Sequence, residues 1–323
     1  MSITKSLELA WKKRESRFAT TEAIRVFHGP GDAQGVFQAF AVEKFCDHYW
    51  IFEWDVGGDS PSALPAPQRE DVLLLVEFLK SKNAKSVVYL SRPKGKIPDP
   101  SAECLWGTPP EWVDIKENHA YFRIRFQNTR HPGLFLDHEP LRLWLETSGK
   151  LKNKRVLNTF SYTGSLSVAC AMGGACFVKT LDLSKPTLAW ARENWELNHL
   201  PAENADFIYG DYFEWLPRLH KKGERFDVVI LDPPSFSRGT KGRFSTLKDL
   251  VPLHELALSV LNPEGLLITS INSAKLSVSD FRKEIDIASQ NQKRKLSVLR
   301  TLEAPSDSFP NAKYLKGWIF EAR

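Results

Sequence analysis

After residue 150 the chain alternates short apolar runs with helical patterns, and no other feature limits its possible folds as strongly. "RVLNTF" precedes "GSLSVACAMGG", "CFVKTLDL" precedes "KPTLAWARENWELNHL", and "DFIYGD" precedes "YFEWLPRLHKK". "FDVVILD" precedes "TLKDLVPLHELALSVL", and "GLLITSI" precedes "SVSDFRKEIDIASQNQ". Two further strand-like runs, "KLSVLRTL" and "YLKGWIF", close the chain. Such βα units predict a mostly parallel sheet with helices on both faces. In sheets of this kind a ligand lies outside the carboxyl ends of the strands, near the point where strand order reverses. The residues just after each strand are therefore the ones to read for chemistry.

The first third reads differently. "AIRVFH", "GVFQAFAVEKF", "YWIFEWDV" and "SVVYL" are β-like, and "EDVLLLVEFLK" has helical periodicity. Residues 57–70 and 91–112 are rich in Gly, Pro or Ser and read as irregular. The predicted organisation is a small α+β domain over 1–112 followed by an α/β domain over 113–323. A chain of 323 residues with 42% hydrophobic residues can supply two cores. The net charge of +5 permits an anionic partner without demanding one. Cys46, Cys104, Cys170 and Cys176 lack CxxC spacing, so neither a disulfide framework nor a metal site is predicted. No apolar run approaches the roughly 18 residues of a membrane span, and the N-terminus lacks an apolar signal core. A reducing, cytoplasmic setting is the expectation.

Four strand ends carry candidate residues. Gly164 follows the first strand and allows a close turn into a helix N-terminus. The full GxGxxG pattern is absent, which counts against an NAD site. Asp182 follows the second strand, where a carboxylate can accept from two ribose hydroxyls. Asp211 follows the third and can accept from the exocyclic amine of an adenine. Asp232 follows the fourth, in "DPPSF". Any one of these aspartates could be a helix N-cap; the set of three beside a glycine turn is harder to account for by capping.

Several segments taken in order resemble a known family. "GLFLDHEPLR", "VLNTFSYTGSLSVACAMGGA", "TLDLSKPTLAWARENWELNHL" and "LDPPSF" are similar to class I S-adenosylmethionine (SAM) dependent methyltransferases. More narrowly, they resemble bacterial large-subunit rRNA methyltransferases, a group with cytosine-C5 and guanine-N7 members. The resemblance spans roughly 115–323 and implies a Rossmann-like seven-stranded domain, SAM as cofactor and RNA as partner. It implies that Tyr162, Thr163 and Gly164 line the methionine part of SAM, that Asp182 holds the ribose, and that Asp211 meets the adenine. Phe135 and Asp137 would approach the cofactor from the start of the adjoining helix. Asn158, Phe160, Leu183, Ser184, Tyr212 and Asp232 complete the expected cofactor set. His138 reads as a surface or capping residue.

The fourth strand end carries the expected chemistry. Pro233 and Pro234 hold the backbone extended, Asp232 or nearby carbonyls can accept from a base amine, and Phe236 can stack on a flipped base. Arg238, Lys241, Arg243 and Lys248 follow in a loop that could meet phosphates. Methylation of cytosine C5 begins with attack of a cysteine thiolate on C6. C5-type relatives carry that cysteine after the fifth strand, and here the corresponding position is Asn272. Guanine N7 has its own lone pair, and "SINSAK" resembles the run found in the N7 branch. An exocyclic amine stays open as the acceptor, because Asp-Pro-Pro-aromatic also resembles the N-methyltransferase pattern. The rival readings are a methyltransferase of a small molecule or protein, and a non-catalytic RNA-binding protein on the same fold.

Overall fold

The computed structural model describes residues 2–54, 66–92, 102–127, 129, 131–234, 236–239, 242–245, 249–273 and 275–323; of 67, 236–239 and 242–245 it describes the backbone. The chain divides into two compact units, Met1–Asp137 with Ala304–Ala312, and His138–Glu303 with Lys313–Arg323.

The first unit runs α1 (Ile3–Glu15), β1 (Ala23–His28), α2 (Gly29–Asp32), β2 (Phe40–Phe45), β3 (His48–Trp54), α3 (Glu70–Ser81), β4 (Ser86–Arg92), β5 (Glu103–Gly107), β6 (Trp112–Glu117) and β7 (Ala120–Arg125). Strands β1 to β5 form one sheet in chain order. Only β3 and β4 pair in parallel, and α3 is the crossover that this pairing requires. The buried side of α3, with Val72, Leu75, Val76 and Leu79, shares a core with Leu7, Val42, Ile51 and Val87. Ser2 caps α1 by accepting from the Lys5 amide. The run "GVFQAFAVEKF" is not one strand: Gly35–Ala39 forms a 3-10 turn before β2 begins. The stretch 91–112, read as irregular, contains β5. The division falls at Asp137 rather than at 112, because the β6–β7 hairpin turns its apolar side inward within this unit. Ile115, Ala120, Phe122 and Ile124 are all buried there, and the Glu22 carboxylate accepts from the Lys116 amide.

The second unit runs α4 (Glu139–Thr147), β8 (Arg155–Thr159), α5 (Ser165–Met172), β9 (Phe177–Asp182), α6 (Lys185–Leu197), β10 (Ala205–Tyr209), α7 (Tyr212–Lys221), β11 (Phe226–Leu231), β12 (Phe236–Gly239), β13 (Gly242–Ser245), α8 (Leu250–Val260), β14 (Leu261–Asn272), α9 (Val278–Asn291), β15 (Leu296–Thr301) and β16 (Leu315–Ala322). Its sheet is seven-stranded, in the order β10-β9-β8-β11-β14-β16-β15. The first five strands in that order are parallel, and β16 runs antiparallel to both its neighbours. Each face has its own core. Val228 and Ile230 of β11 point into one with Leu145, Val156 and Val178. Val229 and Leu231 point into the other with Leu216, Leu253 and Phe281. Burial on both faces is why "FDVVIL" is apolar almost without a break. Strand order reverses between β8 and β11, and the site must form at their carboxyl ends.

Candidate active site

The loop after β8 is shaped by its backbone. Phe160, Tyr162 and Gly164 take left-handed conformations, with φ of 53°, 50° and 74°. For Phe and Tyr that costs about 1–2 kcal/mol each, so the surroundings must hold them there. They do. The Tyr162 amide donates to Asp182 Oδ2 at 2.8 Å, the Gly164 amide donates to the Ser161 carbonyl at 2.8 Å, and Asn194 Nδ2 donates to the Thr163 carbonyl at 2.9 Å. At Gly164 a Cβ would stand 2.8 Å from Ala191 Cβ, so the turn has no room for a side chain even before its φ is counted.

Asp182 ends β9 and is the hub of this half. Its Oδ1 accepts from the Ser184 amide at 2.8 Å and from Thr187 Oγ1 at 3.2 Å. Burial pushes the carboxyl up, and the hydrogen bonds from Tyr162, Ser184, Thr187 and Leu183 offset this only in part. These four donors match the roughly four lone-pair sites of a carboxylate, so ligand hydroxyls would have to share them. Ser184 also caps α6. One layer below, Asn158 donates to Ser167, which bonds Thr180, tying β8, α5 and β9 together. Asn158 Oδ1 and Ser161 Oγ are buried with no hydrogen-bond partner among the described residues.

Asp211 caps α7 by accepting from the Phe213 amide at 2.8 Å and is buried. Tyr212 is buried behind it, with its hydroxyl bonded to the Leu253 carbonyl and its ring stacked on Phe160 at 5.1 Å. Phe160 and Tyr212, expected beside the cofactor, thus have packing roles that need no ligand. Phe135 and Asp137 lie in the first unit. Phe135 is exposed, 4.3 Å from the His131 ring, and Asp137 is buried with its Oδ1 unbonded.

At the end of β11, Asp232 is clasped by two side chains that the sequence reading did not pair with it. Ser270 Oγ donates to Oδ1 at 2.6 Å, and His138 Nε2 lies 3.3 Å from Oδ2. Burial alone would push this carboxyl up; the His138 charge and hydrogen bond and the Ser270 hydroxyl outweigh it and hold it below the usual range. His138, read as a surface or capping residue, is in fact buried at the start of α4. Ser270 had a faint signal: β11 and β14 pair in parallel with Leu231 opposite Thr269, so the residues that follow each arrive together. Asn272 ends β14 on the same side and is exposed. Pro233 is buried and Pro234 exposed. The backbones of β12 and β13 pair as a hairpin, Phe236 opposite Ser245. The side chains of Phe236, Arg238 and Arg243, and residues Lys241 and Lys248, lie outside what is described. Among the described residues no cluster of His, Cys, Asp or Glu could hold a metal ion.

The switch point therefore offers a half-buried carboxylate hub, two buried oxygens unbonded among the described residues, a turn with no room for a side chain, and a second carboxylate held ionised. These features suit a cofactor with ribose hydroxyls and a cationic end. Fold and site together define a class I SAM-dependent methyltransferase. The model of the S-adenosylmethionine-dependent methyltransferase family matches residues 76–320, and the chain belongs to that family. It is 36% identical over 221 residues to ribosomal RNA large subunit methyltransferase I of Aeromonas salmonicida, covering 67% of this chain and 55% of the relative. It is 32% identical over 279 residues to ribosomal RNA large subunit methyltransferase K/L of Shewanella woodyi, covering 85% of this chain and 36% of that one. The chain thus spans about half or less of the length of these relatives. Among solved structures, SMU.776 complexed with SAH superposes with a TM-score of 0.85 at 28% identity, covering 98% of this chain and 80% of that one. No helix among the described residues is long and apolar enough to cross a membrane.

Proposed function

We propose that this methyltransferase modifies RNA, ribosomal RNA in particular, on a base nitrogen, with guanine N7 as the acceptor. The RNA assignment is supported by the relatives, two of which carry ribosomal RNA large subunit methyltransferase in their names. The nitrogen assignment is carried by one observation: the end of β14 presents Asn272 and not a thiol. Nor do the four cysteines supply one elsewhere at these strand ends. Cys170 is buried inside α5, where burial pushes its thiol up to a value that keeps it protonated. Cys176 precedes β9, at the opposite end of the sheet from Asp182, and Cys46 and Cys104 belong to the first unit.

Bound SAM supplies an electrophilic methyl group on a sulfonium, which an in-line lone pair can displace. The protein's share is positioning. Asp182 and the Tyr162–Gly164 turn hold the cofactor end of the crevice, with Asn158, Ser161, Leu183, Ser184 and Asp211 around it. Asp232, kept ionised by His138 and Ser270, accepts from an N–H donor on the edge of the base. Pro233 and Pro234 fix the direction of that carboxylate, and Asn272 bounds the base pocket. N7 carries no proton, so its methylation asks for no strong base here.

Nucleoside mass spectrometry of RNA methylated in vitro tests the reading. The expected product is 7-methylguanosine, and RNA carrying 5-fluorocytosine should form no denaturation-resistant adduct. 5-Methylcytosine, or an adduct through any cysteine, would overturn the nitrogen assignment. An exocyclic N-methyl product would keep nitrogen and move the site.

A further inference from the structure

We propose that the outward face of the β6–β7 hairpin is a docking surface for single-stranded RNA, an inference that rests on the RNA reading above. Successive side chains of a strand point to opposite sides. The inward side of this hairpin supplies its packing: Ile115, Ala120, Phe122 and Ile124 are buried, and Glu117 is buried with them. The outward side carries two large aromatics. Trp112 is 44% exposed and Tyr121 is 43% exposed.

The cross-strand register sets these aromatics among cations. Trp112 faces Arg125, Asp114 faces Arg123, and Lys116 faces Tyr121. Three cations and one carboxylate share the face, which makes it complementary to a polyanion. Arg123 is fixed by Asp114 through two bonds of 2.8 and 2.9 Å, and its guanidinium lies 5.2 Å from the centre of the Trp112 ring. Trp112 and Tyr121 sit at opposite ends of the face, roughly 13 Å apart along the strands. Aromatic platforms interleaved with cations are how proteins bind single strands without reading sequence: bases stack on the rings while the cations meet phosphates. Stacking requires unpaired bases, so a duplex should bind less well.

The experiment uses the full chain, a labelled single-stranded RNA oligonucleotide of mixed sequence, and the same sequence as a duplex, read by fluorescence anisotropy. Trp112→Ala with Tyr121→Ala should weaken single-strand binding about tenfold or more. The unfolding midpoint and the affinity for SAM should match wild type, and Trp112→Phe with Tyr121→Phe should restore most of the binding. Lys116→Ala with Arg125→Ala should flatten the log–log salt dependence by about 0.7 per lost phosphate contact. An unchanged isotherm for the folded double-alanine variant would overturn the proposal, as it would if the face instead meets a protein. So would equal losses for single strand and duplex. Methyl transfer to ribosomal RNA by the wild type separates the two levels. Transfer with an unchanged isotherm leaves the RNA reading standing and removes the hairpin. No transfer to any RNA, with a weakened isotherm, does the reverse.

Discussion

Asp182 and Asp232 stand at the ends of parallel strands of one sheet, and the protein treats them in opposite ways. Asp182 is held by its own loop, through the Ser184 and Leu183 amides and the Thr187 hydroxyl, and by the Tyr162 amide of the adjoining strand-end loop. These do not offset its burial, and its carboxyl sits above the ordinary value. Asp232 is held by side chains from distant elements, His138 and Ser270, and its carboxyl sits below the ordinary value although burial opposes this. The comparison separates two kinds of site. One is built by local backbone, a strained loop wrapped around an acceptor. The other is built by tertiary contacts that keep a charge available where the proposed base would dock.

The largest effect should come from the local backbone. Gly164→Ala adds a Cβ at 2.8 Å from Ala191 Cβ in a residue with φ of 74°. Left-handed strain and overpacking together should cost about 2–5 kcal/mol, read as a lower midpoint in denaturant. A variant as stable as wild type would mean that the turn is not tightly packed, and that the two halves differ less than argued here.

Next comes the charge. Asp232→Ala should lower turnover about 100-fold or more, as loss of a preorganised polar group does, with SAM affinity measured by calorimetry nearly unchanged. Asp182→Ala should do the converse, weakening SAM binding by about tenfold or more, or roughly 1.5–3 kcal/mol. If either variant shows the other's signature, the division into cofactor half and base half is wrong.

A smaller change sharpens the base half. Ser270→Ala removes the hydroxyl that donates to Asp232 at 2.6 Å. Turnover should fall about tenfold, and the acid limb of its pH profile should move upward, because the carboxylate loses one of the groups that hold it low. An unmoved acid limb would remove Ser270 from the clasp.

A last effect concerns stability against pH and lies outside the site. His254 is fully buried between the Leu250 carbonyl and Thr269 Oγ1, and burial lowers its pKa from 6.5 to about 4. The folded state prefers the neutral ring, so its contribution is present above 6.5 and lost as pH falls from there toward about 4. His254→Gln should flatten the fall in unfolding midpoint across that window. If the slope is the same in both proteins, other groups carry the acid sensitivity. His28 in the first unit, lowered to about 3 mainly by burial, is the first to examine.

The order of elements in the second unit was legible because each strand is buried on both faces and each helix carries its own periodicity. The parallel sheet, the carboxyl-end location and the set Gly164, Asp182, Asp211 and Asp232 follow from local pattern alone. Strand β5 was hidden because it lies in a proline-rich stretch and is largely exposed, so no apolar run announces it. The β6–β7 hairpin went unread as part of the first unit, and the boundary was set at 112, because its inward residues find their partners only in the folded unit.

What the sequence by itself determined is therefore everything that depends on periodicity and on residues close in the chain: the fold class, the strand-end positions of Gly164, Asp182, Asp211 and Asp232, and the lack of a thiol after the fifth strand. Only the tertiary structure decided that His138, at the N-cap position of α4, turns its side chain to Asp232 and is buried, and that Ser270 completes the clasp. It also decided that Phe160 and Tyr212 stack on one another, with the Tyr212 hydroxyl committed to Leu253. The physical reason is range. Helix periods, turns and caps are set by neighbours a few residues away, whereas the protonation state of a buried carboxylate is set by whichever charges and hydroxyls the packed sheet brings within about 4 Å.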